Sequence, residues 1–219
     1  MLVKDFITKE IPVLKSFDTA EYALALMEDF KLKHLPLVVD GTYRFLVSER
    51  ELLSMTNLSD PIGEQFQLSP FINESAHILE ALGVITRYRI TSLPVVSADG
   101  LYLGLLTRER FVDALSELCC AEVGGSILVL ELKQQDYSLT EIARIVESNN
   151  AHVLTLFSTC DSSTGRVLVT LKLDLEDASP VIRSFERFNY DVASLFMKRG
   201  VIDETLRQRM DEVIYYMNM

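Results

Sequence analysis

Two short stretches pair a hydroxyl with charge: Val47-Ser48-Glu49-Arg50-Glu51 and Leu106-Thr107-Arg108-Glu109-Arg110. A Ser or Thr at a helix start accepts from the first backbone N–H groups, and the free N–H groups there favour an anion. Arginine nearby strengthens the attraction for phosphate or carboxylate. His34, at a helix–strand join, is either a basic contact or a half-exposed structural histidine. Arg87 and Arg89 with Arg108 and Arg110 are either an anion cluster or solvated charges on helix ends. Bond-breaking chemistry finds little support. His34, His77 and His152 stand one per segment, and no Cys-x-x-Cys, Walker loop or Gly-rich dinucleotide fingerprint occurs. The residues point to binding, with no catalytic and no metal-ligating set.

The elements that hold these residues come twice. Leu35-Pro36-Leu37-Val38-Val39 recurs as Leu93-Pro94-Val95-Val96-Ser97, 58 positions later. The same offset carries Ala23-Leu24 onto Ala81-Leu82, Phe30 onto Tyr88 and Pro12 onto Pro70. Each Leu-Pro run leads into an Asp-Gly turn (Asp40-Gly41, Asp99-Gly100), and one inserted residue there raises the offset to 59. An internal repeat decides architecture before any single motif does.

Copy one reads as a strand at 11–14, a helix capped at Asp18-Thr19, a strand at 35–39, a strand at 43–47 and a helix from Ser48. In the first helix Tyr22, Leu26 and Phe30, with Ala23 and Met27 beside them, make one apolar face. Copy two repeats the order, with a strand near Phe71-Ile72, a helix over 75–88, strands at 93–97 and 101–106, and a helix from Thr107. The stretch 57–63, with Asp60-Pro61, is the seam.

Beyond Cys120 the repeat is gone and Gly124-Gly125 reads as a flexible joint. A strand at 126–133 follows, then a helix opened by a Ser138/Glu141 capping box and closed at Asn149-Asn150. Strands at 153–158 and 166–173, a helix over 176–188 with Pro180 in its first turn, and a strand at 192–196 complete a βαββαβ order. Residues 203–217 are amphipathic enough for a terminal helix.

Composition narrows the class. A net charge of −11 disfavours non-specific nucleic-acid and anionic-membrane binding. No apolar run approaches the ~18 residues of a membrane span, and no signal-type segment opens the sequence, so a cytoplasmic location is expected. Cys119, Cys120 and Cys160 make no disulfide framework and read as small, buried or half-buried residues.

On these residues 1–120 resemble a tandem pair of CBS domains, the cystathionine-β-synthase-type regulatory module, and 126–197 are similar to an ACT-type domain. CBS pairs followed by an ACT-like domain occur in bacterial proteins described as acetoin-utilisation type. The fold class is therefore α+β: two strand–helix–strand–strand–helix repeats (1–60 and 61–122) packed as a pseudo-two-fold pair, a ferredoxin-like ACT-type domain (123–198) and a terminal helix (199–219).

The resemblance implies an adenine nucleotide (AMP, ADP, ATP or a related adenosyl ligand) in the clefts between the copies, with no required cofactor. It assigns the base to the Leu-Pro strands, hence Leu35, Pro36, Ser92, Leu93 and Pro94. It assigns the phosphates to Ser48, Thr107 and nearby basic residues such as His34 and Arg108, and the ribose hydroxyls to an acidic residue three after the hydroxyl. That position holds Glu51 in copy one, longer than the family's usual acid, and Arg110 in copy two, which has donors only and could instead meet a phosphate or a carboxylate. The family's small residue before the hydroxyl is Gly104 in copy two but Phe45 in copy one, whose ring would fill adenosine space. In the ACT-like half the ligand-loop glycine is replaced by Tyr137, which favours a docking surface over an amino-acid site.

Two readings follow. One is a non-catalytic regulatory protein, a homodimer, that senses a small ligand and passes the signal to a partner or subunit. The other is a structural or dimerisation module with degenerate, ligand-free clefts.

Overall fold

The computed structural model describes residues 1–63, 70–161 and 164–197. The chain divides into two compact units, Met1–Leu118 and Cys119–Met219. The expected terminal helix lies outside the described residues.

In the first unit the repeat is plain. α1 (Ala20–Asp29), β1 (His34–Val39), β2 (Thr42–Ser48) and α2 (Glu49–Leu53) correspond in order to α3 (Ile78–Tyr88), β4 (Ser92–Val96), β5 (Tyr102–Thr107) and α4 (Arg108–Leu118), with β3 (Ile72–Asn73) preceding α3. β1 and β2 form an antiparallel hairpin in which Pro36 faces Leu46, and β4 and β5 form its counterpart in which Pro94 faces Leu105. Asp40 and Gly41 both take positive φ, 50° and 75°, as a tight two-residue hairpin turn demands.

Several local expectations change. The strand expected at 11–14 shrinks to a single parallel bridge between Leu14 and Leu37. Pro12 has no N–H to offer, and the Asp18 carboxylate takes the Lys15 N–H at 2.8 Å. The apolar face of α1 is Ala20, Ala23, Leu26 and Met27, while Tyr22 and Phe30 point outward. The small alanines let the helix backbone approach its own hairpin closely. Thr19 caps α1, its Oγ1 accepting from the Tyr22 N–H at 3.2 Å. The helix expected over 75–88 begins at Ile78, capped by His77. Nδ1 of His77 accepts from the Leu79 N–H, and Glu80 accepts the His77 N–H in return. The Ser75 hydroxyl is held by Asn73.

Each repeat borrows core residues from across the seam. Ile62, just past Pro61, is 2% exposed in the core of the first repeat, tied down by its N–H to the Asp18 carbonyl. Val3 and Leu46 are buried in the core of the second. Residues 2–8 run along that repeat: the Val3 N–H donates to the Ala76 carbonyl, and Thr8 and Leu105 exchange both backbone hydrogen bonds.

The two repeats meet along β1 and β4, and the meeting is stitched by residues 58 apart. The Lys33 N–H donates to Thr91 Oγ1 at 3.0 Å, and the Ser92 hydroxyl donates to the His34 carbonyl at 2.8 Å.

The second unit has the βαββαβ order: β6 (Ser126–Lys133), α5 (Leu139–Glu147), β7 (Val153–Cys160), β8 (Arg166–Leu173), α6 (Ser179–Arg187) and β9 (Asp191–Phe196). Its sheet runs β7-β8-β6-β9 with every pair antiparallel. Leu128, Leu130 and Leu132 alternate inward on β6, as Val167, Val169, Leu171 and Leu173 do on β8. They pack with Ile142, Ile145 and Val146 of α5 and Val181 and Phe185 of α6.

Three expectations fail here. Gly125 is no loose joint: a Cβ on it would lie 2.0 Å from the Leu173 carbonyl oxygen, so only glycine lets the two backbones pass. The Ser138 cap forms, but Glu141 does not close the box. Its carboxylate accepts from the Tyr190 hydroxyl at 3.0 Å instead, and burial pushes that phenol up to about 12. Cys160 is exposed at the end of edge strand β7 rather than half-buried; Cys119 and Cys120 are half-buried, and all three are free thiols.

Candidate functional site

A cleft of about 380 Å³ opens in the first unit. One wall comes from Thr8, Glu10 and Ile11 and from Phe30, Lys31 and Leu32 at the end of α1. The other is Thr91 at the entry to β4, with Thr107, Arg108, Glu109 and Arg110 where β5 turns into α4. Each second helix starts against the entry to its own repeat's first strand. The Glu49 N–H donates to the Lys33 carbonyl, and the Arg108 N–H to the Thr91 carbonyl.

Of the residues expected from the sequence, Thr107, Arg108 and Arg110 line this cleft. Thr107 Oγ1 accepts from the Arg110 N–H at 3.3 Å and so caps α4. Arg108 Nε donates to the Ile90 carbonyl at 3.0 Å, which pins its guanidinium plane while the terminal nitrogens stay available. The Arg110 side chain makes no hydrogen bond or ion pair among the described residues. Lys31 brings a third cation, shared with Glu28. Glu10 and Glu109 are the acidic residues of the lining.

The other expected residues lie elsewhere. Leu35, Pro36, Leu93 and Pro94 are buried within their hairpins, and Ser92 is buried with its hydroxyl spent on His34. Ser48 and Glu51 face one another: the carboxylate accepts the Ser48 N–H at 3.0 Å and its hydroxyl at 2.6 Å. Phe45 pairs with Leu37 and is 6% exposed within the first core. Gly104 has a reason of its own: a Cβ there would lie 2.8 Å from the Thr8 carbonyl oxygen. Arg87 and Arg89 do not join Arg108 and Arg110 on the cleft, and Arg89 closes α3 with φ of 53°.

His34 is half-buried at the crossing between the repeats. Its Nδ1 accepts from the Thr91 N–H at 3.2 Å and lies 3.1 Å from Thr91 Oγ1. Burial holds the ring below the usual histidine range; Glu51 and Glu49 pull the other way, and Arg108 and Lys33 add to the depression.

Sequence reading missed Thr8, Glu10, Ile11, Phe30, Lys31, Leu32, Thr91 and Glu109. The repeat held one usable signal, since Lys33 and Thr91 are 58 apart and both precede a Leu-Pro strand.

In the second unit a cavity of about 590 Å³ lies over the loop 133–138, where the ACT resemblance puts a ligand. Arg166 spans Glu131 at 3.3 Å and Asp191 at 4.0 Å there, so those charges are partly paired internally. Tyr137 packs against the core. Among the described residues no cluster of three or more His, Cys, Asp or Glu is placed to hold a metal, and no helix is long and apolar enough to cross a membrane.

Comparison with known proteins agrees with the repeat. The CBS domain family model matches residues 3–55 and 65–117, so this part of the chain is a tandem pair of CBS domains. Inosine-5'-monophosphate dehydrogenase of Korarchaeum cryptofilum is 28% identical over 105 residues, covering 48% of this chain and 22% of that enzyme. The enzyme of Mycobacterium tuberculosis is 30% identical over 109 residues, covering 48% and 21%. The chain thus spans about a fifth of the length of these curated relatives. Among solved structures, a CBS domain pair/ACT domain protein of Thermotoga maritima is 24% identical with a TM-score of 0.49, over 53% of this chain and 98% of that one. CBSX2 of Arabidopsis thaliana in complex with AMP is 29% identical with a TM-score of 0.47, over 53% and 97%. A putative acetoin utilization protein of Vibrio cholerae is 26% identical with a TM-score of 0.48, over 56% and 95%.

Proposed function

We propose that the protein is a non-catalytic regulatory protein that senses an adenine nucleotide in the cleft between its CBS repeats. Arg110 carries this reading. A guanidinium with no partner among the described residues, opening on a cleft beside Arg108 and Lys31, is a site for phosphate. Ile11, Phe30 and Leu32 across from it offer an apolar seat for a base. A ligand bridging these walls would favour one relative setting of the repeats, and its differential affinity for the two settings is the whole of the signal. The second unit, read as an ACT-type domain, would carry that signal to a partner or to a second copy in a cytoplasmic homodimer.

Calorimetric titration with AMP, ADP, ATP and S-adenosylmethionine tests this. Binding that weakens in Arg110→Gln supports the reading; no heat and no rise in melting temperature at millimolar nucleotide overturns it.

One observation favours a second reading, a structural or dimerisation module with ligand-free clefts. Ser48 and Glu51 satisfy each other, which leaves the first repeat without a free carboxylate at that position. A dimer unaffected by nucleotide in sedimentation analysis is what that reading expects.

A further inference from the structure

Thr91 is bound on all its polar groups, two of the bonds going to the entry of β1 and one to the start of α4. Its carbonyl accepts the Arg108 N–H at 3.2 Å, and its hydroxyl oxygen accepts the Lys33 N–H at 3.0 Å. Its N–H donates to His34 Nδ1 at 3.2 Å. It therefore joins the first repeat to the wall of the cleft that carries Arg108. The third bond requires a bare Nδ1, so the ring is neutral with its proton on Nε2. A second proton turns Nδ1 into a donor, which can no longer take the Thr91 N–H and must turn to the Thr91 hydroxyl oxygen 3.1 Å away.

We propose that His34 is a proton-sensitive latch on the cleft: protonation at Nδ1 strips the Thr91 N–H of its acceptor, loosens the wall bearing Thr91 and Arg108, and weakens anion binding. The inference rests on the cleft being the ligand site, and it adds how that site is regulated. The charged groups facing the ring are Glu49 and Glu51 on α2, Arg108 on α4 and Lys33 beside it. Histidine is the side chain of this cluster whose ordinary value lies nearest neutrality, and burial holds His34 below it.

The loss of the latch should be visible without ligand. In the wild-type chain the Thr91 amide resonance should shift with the same midpoint as the His34 ring nitrogens. An amide that stays still while the ring titrates overturns the latch, whatever binds in the cleft. With ATP as probe, the dissociation constant of wild type should rise about fivefold or more beyond that of His34→Gln between about pH 7.5 and the acid side of the midpoint read from the His34 ring nitrogens. Glutamine keeps an acceptor for Thr91 but takes up no proton, so equal pH responses in the two proteins also overturn it. If ATP binds neither protein at any pH, the nucleotide reading fails, and the amide titration still decides the latch.

Discussion

Ser48 and Glu51 form a closed pair at the start of α2. The hydroxyl accepts the Glu51 N–H at 3.3 Å, and the carboxylate takes both the Ser48 N–H and its hydroxyl. Thr107 and Arg110 occupy the corresponding place in the second repeat, and arginine has no acceptor with which to close such a box. The half with the carboxylate has turned its polar groups inward, and the half without it has left a cation outward. Ser48→Ala should therefore cost about 1 kcal/mol in urea unfolding, as the loss of a helix cap does, with ATP affinity unchanged. A large fall in affinity at unaltered stability would show that the pair faces ligand instead.

Arg110 should behave in the opposite way. Its side chain is exposed and unpartnered among the described residues, so Arg110→Gln should leave the melting temperature near that of wild type. Losing one charge-assisted contact to phosphate should raise the ATP dissociation constant about tenfold or more in calorimetry. The difference should shrink for adenosine, which carries no phosphate.

Gly104→Ala sets a Cβ against the Thr8 carbonyl oxygen, a backbone atom that cannot swing aside. The expected cost is about 1 to 3 kcal/mol, the range for overpacked sites. Because Thr8 also lines the cleft, nucleotide affinity should fall together with the melting temperature. Stability loss with intact affinity would mean that the 2–8 segment can lift without disturbing the site.

Stability should depend on pH through His34 in a stated direction. The folded chain holds this ring below its ordinary value, so the unfolded chain binds the proton more readily. The associated stability is fully present above about pH 6.5 and is lost as pH falls through the lower folded value. Urea midpoints measured across this range should decline for wild type and flatten for His34→Gln. A midpoint that rises on acidification would reverse the sign and sink the assignment of a neutral ring.

Much of the architecture is legible in the sequence because duplication is itself a long-range signal. Leu35-Pro36 and Leu93-Pro94 announce equivalent hairpins, and Ser48 and Thr107 announce equivalent helix starts. The alternation in 126–133 and 166–173 likewise states which side chains turn inward. What stays hidden is which core a short, irregular segment joins. Nothing in the pattern of Val3 or Ile62 says that the first packs with the second repeat and the second with the first. The same limit applies to the site. Thr107, Arg108 and Arg110 sit on one helix start and can be read locally, whereas Thr8, Phe30 and Thr91 reach the cleft only through tertiary contacts.

The exchange of Val3 and Ile62 between cores bears on how the pair can fold. Thr8 and Leu105 are far apart in sequence, and closing so long a loop carries an entropic cost that local helix formation does not repay. Neither repeat holds a finished interior alone, so they should appear as one cooperative unit in hydrogen exchange, without a stable half. A segment held only by such long-range contacts is one that local opening can release, and through Thr8 this one forms a rim of the cleft. Filling the cleft should therefore slow amide exchange at Val3 and Thr8 as much as at the residues the ligand touches.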